Sequence, residues 1–373
     1  EKDKVMEKEK EKEKEQGNPN PVKVGISIGD INGIGPEVIM KALMDQRILL
    51  DCTPIIYGSS KVFSFYKKSM EEIEFNYNSC KSADEALIRK INVVNVWQDE
   101  VQIEPGVVSE TGGKCAFESL ERATQDLGSG KIDVLVTAPI SKDAMSRSGF
   151  KFPGHTEYLA DLAGEEEALM VMVSSGLRVA LVTTHIPLKE VSTSLSREKI
   201  AAKIRVFEHS LKKDFGIIRP KIAVLGLNPH AGENGKMGSE EQEIISPAIN
   251  AVRNEEILAF GPYPADGFFG SPSRSQFDGV LAMYHDQGLS AFKALAFEEG
   301  VNYTAGLPIV RTSPDHGTAF DIAGQNKASE CSLRSAIYVA MDVFNDRKRY
   351  KEIHANPLQS APKEKRRSGA EIE

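Results

Sequence analysis

The chain has little cysteine, and its four cysteines are far apart. They are Cys52, Cys80, Cys115 and Cys331, and no two of them form a Cys-x-x-Cys pair. This spacing argues against a disulfide scaffold and against a thiolate zinc site, and it is typical of reduced thiols. The start of the sequence also lacks the apolar core of a secretory signal. We therefore expect a cytoplasmic protein.

Two further features are missing, a long apolar run and an excess of positive charge. No run of about 18 apolar residues occurs, so the sequence predicts no membrane span. The net charge of -8 argues against a general nucleic-acid-binding protein. What the chain does have is 373 residues with 40% apolar content, which is enough for sizeable cores and more than one typical domain needs.

Strands and helices alternate along most of the chain, between two polar ends. Residues 1–19 and 356–373 are rich in charged and polar residues and are predicted to be tails. The first is expected to be disordered, because its composition cannot bury a core. Strands are predicted near 22–28, 54–58, 92–96 and 133–137, with helices near 38–49, 60–70 and 114–127. This alternation predicts an α/β fold, a mostly parallel sheet with helices on both faces.

The same pattern restarts in the second half of the chain. Two apolar segments, 168–173 and 178–183, predict a hairpin. The remaining predicted elements are a helix near 196–212, a strand at 221–227, a helix at 240–253, a strand at 280–284 and a last helix at about 331–347.

A glycine-rich turn at 29–37 separates the first strand from the first helix. Such a turn can present backbone N–H groups to an anion. However, Gly29, Gly33 and Gly35 do not spell the Gly-x-Gly-x-x-Gly dinucleotide fingerprint, and no Walker lysine follows. The turn is therefore either a tight strand-to-helix connection or a phosphate cradle.

Three histidines each follow a hydrophobic strand. They are His185, His230 and His285. Neighbouring parallel strands lie about 4.8 Å apart, so three such strand ends can converge on one point. Three imidazoles bind a divalent transition metal and leave positions open for a substrate. One strand-end histidine is more often structural, but three in equivalent places indicate a metal site.

Other polar residues stand near these strand ends. His155 and Thr156 precede a helix, where Thr156 or the adjacent amides either cap the helix or hold an anion. Asp266, in a proline-rich loop, is either a turn-former or a general base. After the strand at 280–284, further polar side chains in the next turns and loops offer donors to an anionic substrate. They are Lys293, Asn302 and Arg311.

Together these motifs resemble the 4-hydroxythreonine-4-phosphate dehydrogenase family of vitamin B6 biosynthesis. The matching segments occur in the family's order over about residues 22–345, at 29–37, 154–157, 184–188, 227–233, 283–288 and 315–319. The closing motif, 316–324, also resembles the adenine-side loop of the isocitrate and isopropylmalate dehydrogenases, which bind nicotinamide without a Rossmann fingerprint. The sequence departs from the family at 30–32, Asp-Ile-Asn, where members often have an acidic residue followed by Pro-Ala.

The resemblance implies an isocitrate/isopropylmalate dehydrogenase-like, non-Rossmann fold of two α/β/α domains with a cleft between them. Residues 20–148 plus 288–355 would form the first domain, on the cofactor side, and 149–287 the second, on the metal and dimer side. It also implies a homodimer with a shared active site, to which the partner subunit contributes one metal ligand. No nucleic-acid or membrane partner is expected.

The resemblance also implies roles for single residues. The implied metal ligands are His185, His230 and His285. The implied substrate-binding residues are His155, Thr156, Lys293, Asn302 and Arg311. The closing motif implies cofactor contacts from His316, Gly317, Ala319 and Asp321. Asp266 or Lys293 is expected to relay the proton, and the choice between them stays open.

The implied reaction is oxidation of 4-phosphohydroxy-L-threonine at its secondary alcohol, followed by decarboxylation to 3-amino-2-oxopropyl phosphate. The implied cofactors are NAD or NADP and a divalent metal, zinc first, with magnesium or cobalt as alternatives. A paralogous dehydrogenase of threonate or erythronate 4-phosphate would keep the same histidines. A metal-dependent hydrolase or acyltransferase, and a non-catalytic metabolite-binding protein, are alternatives from other classes.

Overall fold

The computed structural model describes residues 21–70, 73–152, 154–164 and 168–356. The predicted tail at 1–19 lies outside these residues, as does the predicted second tail from residue 357 onward. The described residues form one sheet of 12 strands. The strands are β1 Val22–Ser27, β2 Cys52–Gly58, β3 Asn78–Cys80, β4 Asn92–Asn95, β5 Val134–Thr137, β6 Leu169–Ser174, β7 Leu177–Leu181, β8 Lys221–Leu225, β9 Leu258–Tyr263, β10 Gly279–Ala282, β11 Val301–Ala305 and β12 Arg311–Pro314.

Helices connect these strands and cover the sheet. The α-helices are α1 Gly35–Ala42, α2 Ser60–Ser69, α3 Glu110–Gly128, α4 Lys142–Arg147, α5 His155–Ala163, α6 Val191–Ser194, α7 Arg197–Lys213, α8 Ser246–Arg253, α9 Ala265–Gly270, α10 His285–Ala296 and α11 Cys331–His354. A π-helical turn, Glu241–Ile245, leads into α8. Within the described residues, each helix is too short or too polar to span a bilayer.

The sheet order is β3-β4-β2-β1-β5-β12-β11-β6-β7-β10-β8-β9. Along this sheet order, every neighbouring pair of strands between β3 and β12 is parallel, and so is every neighbouring pair between β7 and β9. Three antiparallel pairs, β12–β11, β11–β6 and β6–β7, join the two groups. The predicted α/β fold with a mostly parallel sheet and a hairpin at β6–β7 is therefore confirmed.

The two predicted domain segments occupy separate halves of this sheet. Residues 20–148 plus 288–355 supply β1 to β5, β11 and β12, and 149–287 supplies β6 to β10. A buried network joins the halves: the Asp214 carboxylate accepts hydrogen bonds from Arg347 Nε and the Tyr303 hydroxyl, both at 2.7 Å. The division into two domains stays a prediction.

Alternate residues of the strands point to opposite faces of the sheet, as strand geometry requires. In β8, Ile222 and Val224 join the large core cluster on one face, whereas Ala223 and Leu225 join a smaller cluster on the other. Serine side chains begin three of the covering helices: Ser59, Ser109 and Ser196 each accept a hydrogen bond from a first-turn N–H. Such caps satisfy backbone donors that the helix itself leaves unpaired.

Four predicted site residues lie in elements other than the predicted ones. Asn302 lies in β11, Arg311 in β12 and Lys293 in α10, whereas all three were expected in turns and loops. These strands have only four or five residues and carry polar side chains, so their apolar alternation is too short to recognise. Asp266 lies in the short helix α9 rather than in a loop, and β9 includes the Gly261–Pro262 dipeptide that had indicated a loop.

Candidate active site

A cavity of about 320 Å³ lies beside the carboxyl ends of β5 and β12. Six of the predicted site residues line it, from three different parts of the chain. They are His155, His285, Lys293, Asn302, His316 and Gly317. The segment after β5, residues 137–140, and the segment 313–317 complete much of the wall. The structure therefore brings several of the predicted substrate-binding and cofactor-binding residues, and one predicted metal ligand, to one cavity.

Arg311 is buried at the edge of this cluster and makes bonds only to neutral groups. Its Nε and Nη2 donate to the Thr137 hydroxyl at 3.1 and 2.7 Å, and its Nη1 donates to Thr304 Oγ1 at 3.3 Å. A longer contact of 3.5 Å reaches Thr156 Oγ1. No carboxylate among the described residues is within ion-pair distance of Arg311. Burial lowers the pKa of the guanidinium to about 10, while the charge of Glu157 acts in the opposite direction.

His155 adjoins the guanidinium at the first residue of α5. Its Nδ1 is 3.2 Å from Arg311 Nη2, and its buried Nε2 has no partner among the described residues. Burial, with the charges of Arg311 and Lys142, holds the pKa of the imidazole well below its usual value, so the ring is neutral. Thr156 does not cap the helix, because the cap residue is Gly154 and no side chain bonds to the first turn.

Lys293, Asn302 and His316 lie on other walls of the cavity. The Lys293 ammonium is 3.2 Å from Asp315 Oδ1, and burial raises the pKa of that carboxyl while Lys293 lowers it. Asn302 Oδ1 and His316 Nε2 are buried without a partner among the described residues. Buried polar atoms are normally paired, so unpaired ones that face a cavity are candidates for ligand contacts.

Two of the three predicted metal ligands lie side by side. The rings of His185 and His285 have centroids 5.9 Å apart and border a second cavity, of about 490 Å³. Asp286 Oδ1 is 2.7 Å from His285 Nδ1. A carboxylate that binds one ring nitrogen orients the ring and leaves the other nitrogen available to a metal. The pair therefore fits a borderline-soft divalent cation such as Zn²⁺.

His230 lies elsewhere, on a third cavity of about 630 Å³ that Asp266 also lines. Within the described part of the chain, no three His, Cys, Asp or Glu side chains are grouped closely enough to hold a metal. The strands β7, β10 and β8, which precede the three histidines, are adjacent and parallel, as expected. One chain nevertheless brings only two of the three imidazoles together.

The segment that carries His230 has an unusual backbone. Residues 230–234 all have positive φ, between 42° and 78°, although only Gly232 is a glycine. Strained backbone of this kind persists only where the surroundings hold it, and it is found most often at functional sites. The buried Glu241 carboxylate supplies that support: its Oε1 accepts the N–H groups of Leu227 and Asn228, each at 2.7 Å.

Four backbone donors of the first turn are already bonded within the protein. The N–H of Asp30 donates to Pro139 O, and that of Ile34 donates to Thr318 O. The N–H groups of Asn32 and Gly33 both donate to Asp30. Since these donors are already used, the structure favours the tight-turn interpretation over the phosphate cradle. The turn instead supports the closing motif, because it bonds to the backbone at 318.

The closing motif follows β12 and reaches the cavity at His316 and Gly317. No atom outside its chain neighbours is within 4 Å of where a Cβ on Gly317 would lie, and Ala319 has a φ of 41°. His316 Nδ1 lies 3.1 Å from the Gly317 carbonyl. Asp321 is exposed, beyond the residues that line the cavity. The uncrowded backbone at Gly317 and the unpaired Nε2 of His316 fit contacts to a nucleotide that approaches from solvent.

Sequence reasoning gave no individual role to Thr137, Thr304, Asp286 or Glu241. Thr137 ends β5, at the sheet edge where ligands bind in α/β proteins, so its position was a usable signal. Asp286 follows His285 directly, and a carboxylate next to a proposed metal ligand was a second signal. Nothing local indicates a role for Thr304 or Glu241, because their bonds to Arg311 and to the backbone at 227–228 depend on how the intervening chain folds.

Comparison with known proteins shows extensive similarity. The sequence model of the family described as pyridoxal phosphate biosynthetic protein PdxA matches residues 50–340. A 4-hydroxythreonine-4-phosphate dehydrogenase of Bacteroides thetaiotaomicron is 52% identical over 345 residues, 92% of this chain and 94% of that protein. A protein of Oceanobacillus iheyensis provisionally named a D-threonate 4-phosphate dehydrogenase is 41% identical over 325 residues, 86% of this chain and 97% of that protein.

The fold is similar to that of a solved structure as well. The 4-hydroxythreonine-4-phosphate dehydrogenase from Klebsiella pneumoniae matches with a TM-score of 0.77 and 36% sequence identity, over 88% of this chain and 99% of that chain. The similarity in sequence and in fold therefore extends over most of the chain, and the residues matched by the family model include all the segments that line the three cavities.

Proposed function

Because the chain belongs to the PdxA family of pyridoxal phosphate biosynthetic proteins, we propose that it oxidises 4-phosphohydroxy-L-threonine with a nicotinamide cofactor. The secondary alcohol becomes a ketone, and the resulting β-keto acid loses carbon dioxide to give 3-amino-2-oxopropyl phosphate. The resemblance inferred from the motifs is thereby confirmed at the level of the family. The assignments of single residues remain proposals.

The observation that carries this proposal is the buried guanidinium of Arg311. A buried cation is costly unless a counter-charge is paired with it, even where hydrogen bonds to neutral groups satisfy its donors. Its partners in the described chain are neutral hydroxyls and an imidazole. The positive charge is therefore left for an anionic ligand, and Lys293 on another wall of the same cavity adds a second cation. A substrate with a phosphate and a carboxylate fits both.

We assign anion binding to Arg311, Lys293 and His155, with Thr156 and Asn302 beside them. A guanidinium binds oxyanions by charge-assisted hydrogen bonds, which are shorter and stronger than neutral ones. These contacts hold the substrate so that its hydroxyl faces the neighbouring His185–His285 pair. Fixing the reacting group in this way converts binding energy into a lower barrier.

The residues present also fit the two groups that the reaction requires. His185 and His285 would hold a divalent cation, and 316–321 would hold the nicotinamide nucleotide. The chemistry supplied by these groups when bound is acidification of the alcohol by the cation and acceptance of the hydride by the nicotinamide. Zinc, and NAD rather than NADP, are the first choices to be tested.

We propose a homodimer in which the partner subunit completes the metal site. Support comes from the separation of His230 from the His185–His285 pair within one chain. Asp266 lines the same cavity as His230, so the subunit that supplies His230 to a site supplies Asp266 as well. Asp266, which would reach the site together with His230, is the better candidate for the general base, since Lys293 is already paired with Asp315. The cytoplasmic location stays a prediction.

A second candidate substrate is D-threonate 4-phosphate. The Oceanobacillus relative favours it, because its sequence covers nearly the same part of this chain. Both substrates place a phosphate and a carboxylate at the ends of a four-carbon chain with a secondary alcohol, so the same cationic groups suit both. They differ in one position, an ammonium in the amino acid and a hydroxyl in the sugar acid.

NADH formation by the purified protein tests the proposal. The two phosphorylated substrates are compared with each cofactor, with and without a chelator. We expect NADH formation with 4-phosphohydroxy-L-threonine, its loss with chelator, and its return on addition of Zn²⁺. Faster turnover of threonate 4-phosphate would assign the sugar-acid activity instead. Metal-dependent hydrolysis of either ester with no NADH formed would contradict a dehydrogenase.

A further inference from the structure

The contact between Arg311 and His155 determines where the imidazole carries its proton. A guanidinium has only donors, so in the 3.2 Å contact with Arg311 Nη2, His155 Nδ1 is the acceptor. The proton of the neutral ring is therefore on Nε2. That atom is buried, has no partner among the described residues, and belongs to a residue that lines the 320 Å³ cavity. It is a neutral donor that lacks an acceptor.

The orientation of Arg311 depends in turn on one hydroxyl. Thr137 Oγ1 accepts from both Nε and Nη2 of the guanidinium, at 3.1 and 2.7 Å. A hydroxyl has two lone pairs, so these bonds use its full accepting capacity. Two bonds to one oxygen fix the plane of the guanidinium, and Nη2 is the same atom that faces His155. Thr304 holds only the remaining nitrogen, Nη1.

We propose that Thr137 is a positioning residue that orients Arg311 and, through Arg311, fixes His155 as its Nε2–H tautomer. The substrate oxyanion then meets two prearranged donors, one cationic and one neutral. This inference rests on the proposed function only for the identity of the anion. The donor arrangement belongs to the free protein, so it is testable without turnover.

Three variants separate this role from a general effect on packing. Thr137→Val keeps the shape and removes the hydroxyl, and Thr137→Ser restores the hydroxyl. Thr312→Val is the matched control: Thr312 is a fully buried threonine in β12, next to Arg311 in sequence, and its hydroxyl donates away from the site to Ala336 O at 2.8 Å.

The first readout is the ¹⁵N spectrum of the histidine rings in the full-length, substrate-free enzyme. The chain has 7 histidines, and His155→Gln identifies the signals of this ring. We expect a protonated Nε2 and an unprotonated Nδ1 in the wild type, Thr137→Ser and Thr312→Val, and a mixture of tautomers in Thr137→Val. A wild-type ring protonated at Nδ1 would overturn the proposal, whatever the variants do.

The second readout is affinity for an anion. Hydrogen bonds to a charged group are worth enough that losing their geometry weakens binding by about tenfold to a hundredfold. Thr137→Val should raise the Kd for inorganic phosphate and the KM for the phosphorylated substrate by about that factor, with kcat within about threefold. Thr137→Ser and Thr312→Val should stay within about threefold of the wild type.

The outcomes distinguish this inference from the proposed function. Equal KM and Kd in Thr137→Val and the wild type would refute the positioning role, as would an equal loss in Thr312→Val. Phosphate binding that depends on Thr137, in a protein that does not oxidise 4-phosphohydroxy-L-threonine, would support the inference while removing the assigned substrate.

Discussion

The two ends of the proposed site are built in opposite ways. At the anion end, Arg311 and His155 are 3% and 8% exposed and are held by bonds from β5, β11 and α5. At the metal end, His185 and His230 are exposed, and the side chain of His285 is 37% exposed. Folding of one chain arranges the residues of the first end, whereas the second, in the proposed dimer, would be completed by a metal ion and the partner subunit.

Because of this difference, the two ends of the site should affect different properties of the protein, its folding stability at the anion end and its assembly with a metal and a second subunit at the metal end. The buried cation of Arg311 lowers the stability of the free protein, but it is already in position to bind an anion. The binding site is thus preorganised at a cost in folding free energy. Exposed imidazoles contribute little to folding and can be rearranged when a metal and a second subunit bind. Variants at the two ends should therefore separate into those that change kcat and metal binding and those that change KM and unfolding.

The largest effect is expected at the metal end. His185→Ala should lower kcat by about a thousandfold, because a divalent cation supplies several kcal/mol of charge stabilisation in such reactions. Zn²⁺ or Co²⁺ binding, measured by calorimetry on metal-free enzyme, should weaken together with kcat. The unfolding midpoint of the metal-free protein should not change, because His185 is exposed.

His354→Ala is the control for this variant, since His354 is an exposed histidine at the end of α11. It should leave kcat and metal affinity unchanged. If His185→Ala keeps wild-type activity and wild-type Co²⁺ affinity, the paired histidines are not a metal site. If it unfolds the free protein, the contrast between the two ends is wrong.

At the anion end, Arg311→Lys should raise the KM for the phosphorylated substrate by about tenfold to a hundredfold and leave kcat nearly unchanged. Lysine keeps the charge but cannot make the forked contacts to Thr137 and His155. Ligand-induced stabilisation gives a second measure. Phosphate at a hundred times its Kd should stabilise the wild type by about 3 kcal/mol, and the variant much less at the same concentration.

Arg334→Lys is the matched control, because Arg334 pairs with Glu330 on α11 and none of the three cavities includes it among its lining residues. Its KM should equal that of the wild type. An unchanged KM in Arg311→Lys would remove this guanidinium from the anion site, whereas a fall in kcat alone would move it to the reacting end.

Glu241→Gln should have a smaller effect, on both metal affinity and stability. The carboxylate accepts two backbone N–H groups at 2.7 Å from the segment before His230. An amide accepts more weakly and adds a donor next to Asn228, so the left-handed segment loosens. Metal affinity should fall by about tenfold, the lower end of the range for groups that orient ligands.

Glu243→Gln, an exposed position two residues further on, is the control and should behave as the wild type. Calorimetric titration with Zn²⁺ and urea unfolding measure the two effects. A loss of stability with unchanged Zn²⁺ affinity would show that Glu241 supports the fold but not the position of His230.

Much of the fold and half of the site could be predicted from the sequence. The strands with clear apolar runs, such as β1 and β8, were found because burial on both faces leaves a continuous hydrophobic signal. The three histidines were predicted as metal ligands because ligand-binding residues collect at the carboxyl ends of strands, and one chain brings two of them together. Both inferences use information within about ten residues of each position, and both apply to most of the parallel strands.

The remainder depends on contacts that no local pattern contains. Arg311 and Thr137 are 174 residues apart in the sequence and meet only because β5 and β12 pair. The β12 segment, Arg-Thr-Ser-Pro, has no apolar alternation, so its strand was interpreted as a loop. The positive φ angles at 230–234 are equally hidden, since four of the five residues are not glycine.

The smallest expected effect is a pH dependence of stability that belongs to His155. Burial and the charges of Arg311 and Lys142 hold its folded-state pKa well below 6.5, the usual value, which the unfolded chain retains. Below pH 6.5 the unfolded state therefore binds a proton that the folded state does not, so the free energy of unfolding falls as the pH falls. One such group contributes about 1 kcal/mol per pH unit. Urea unfolding of the wild type and His155→Gln at pH 7.5, 6.5 and 5.5 should show a shallower dependence in the variant. Equal slopes would mean that the imidazole takes up its proton in the folded protein, and His155 would then not be held neutral beside Arg311.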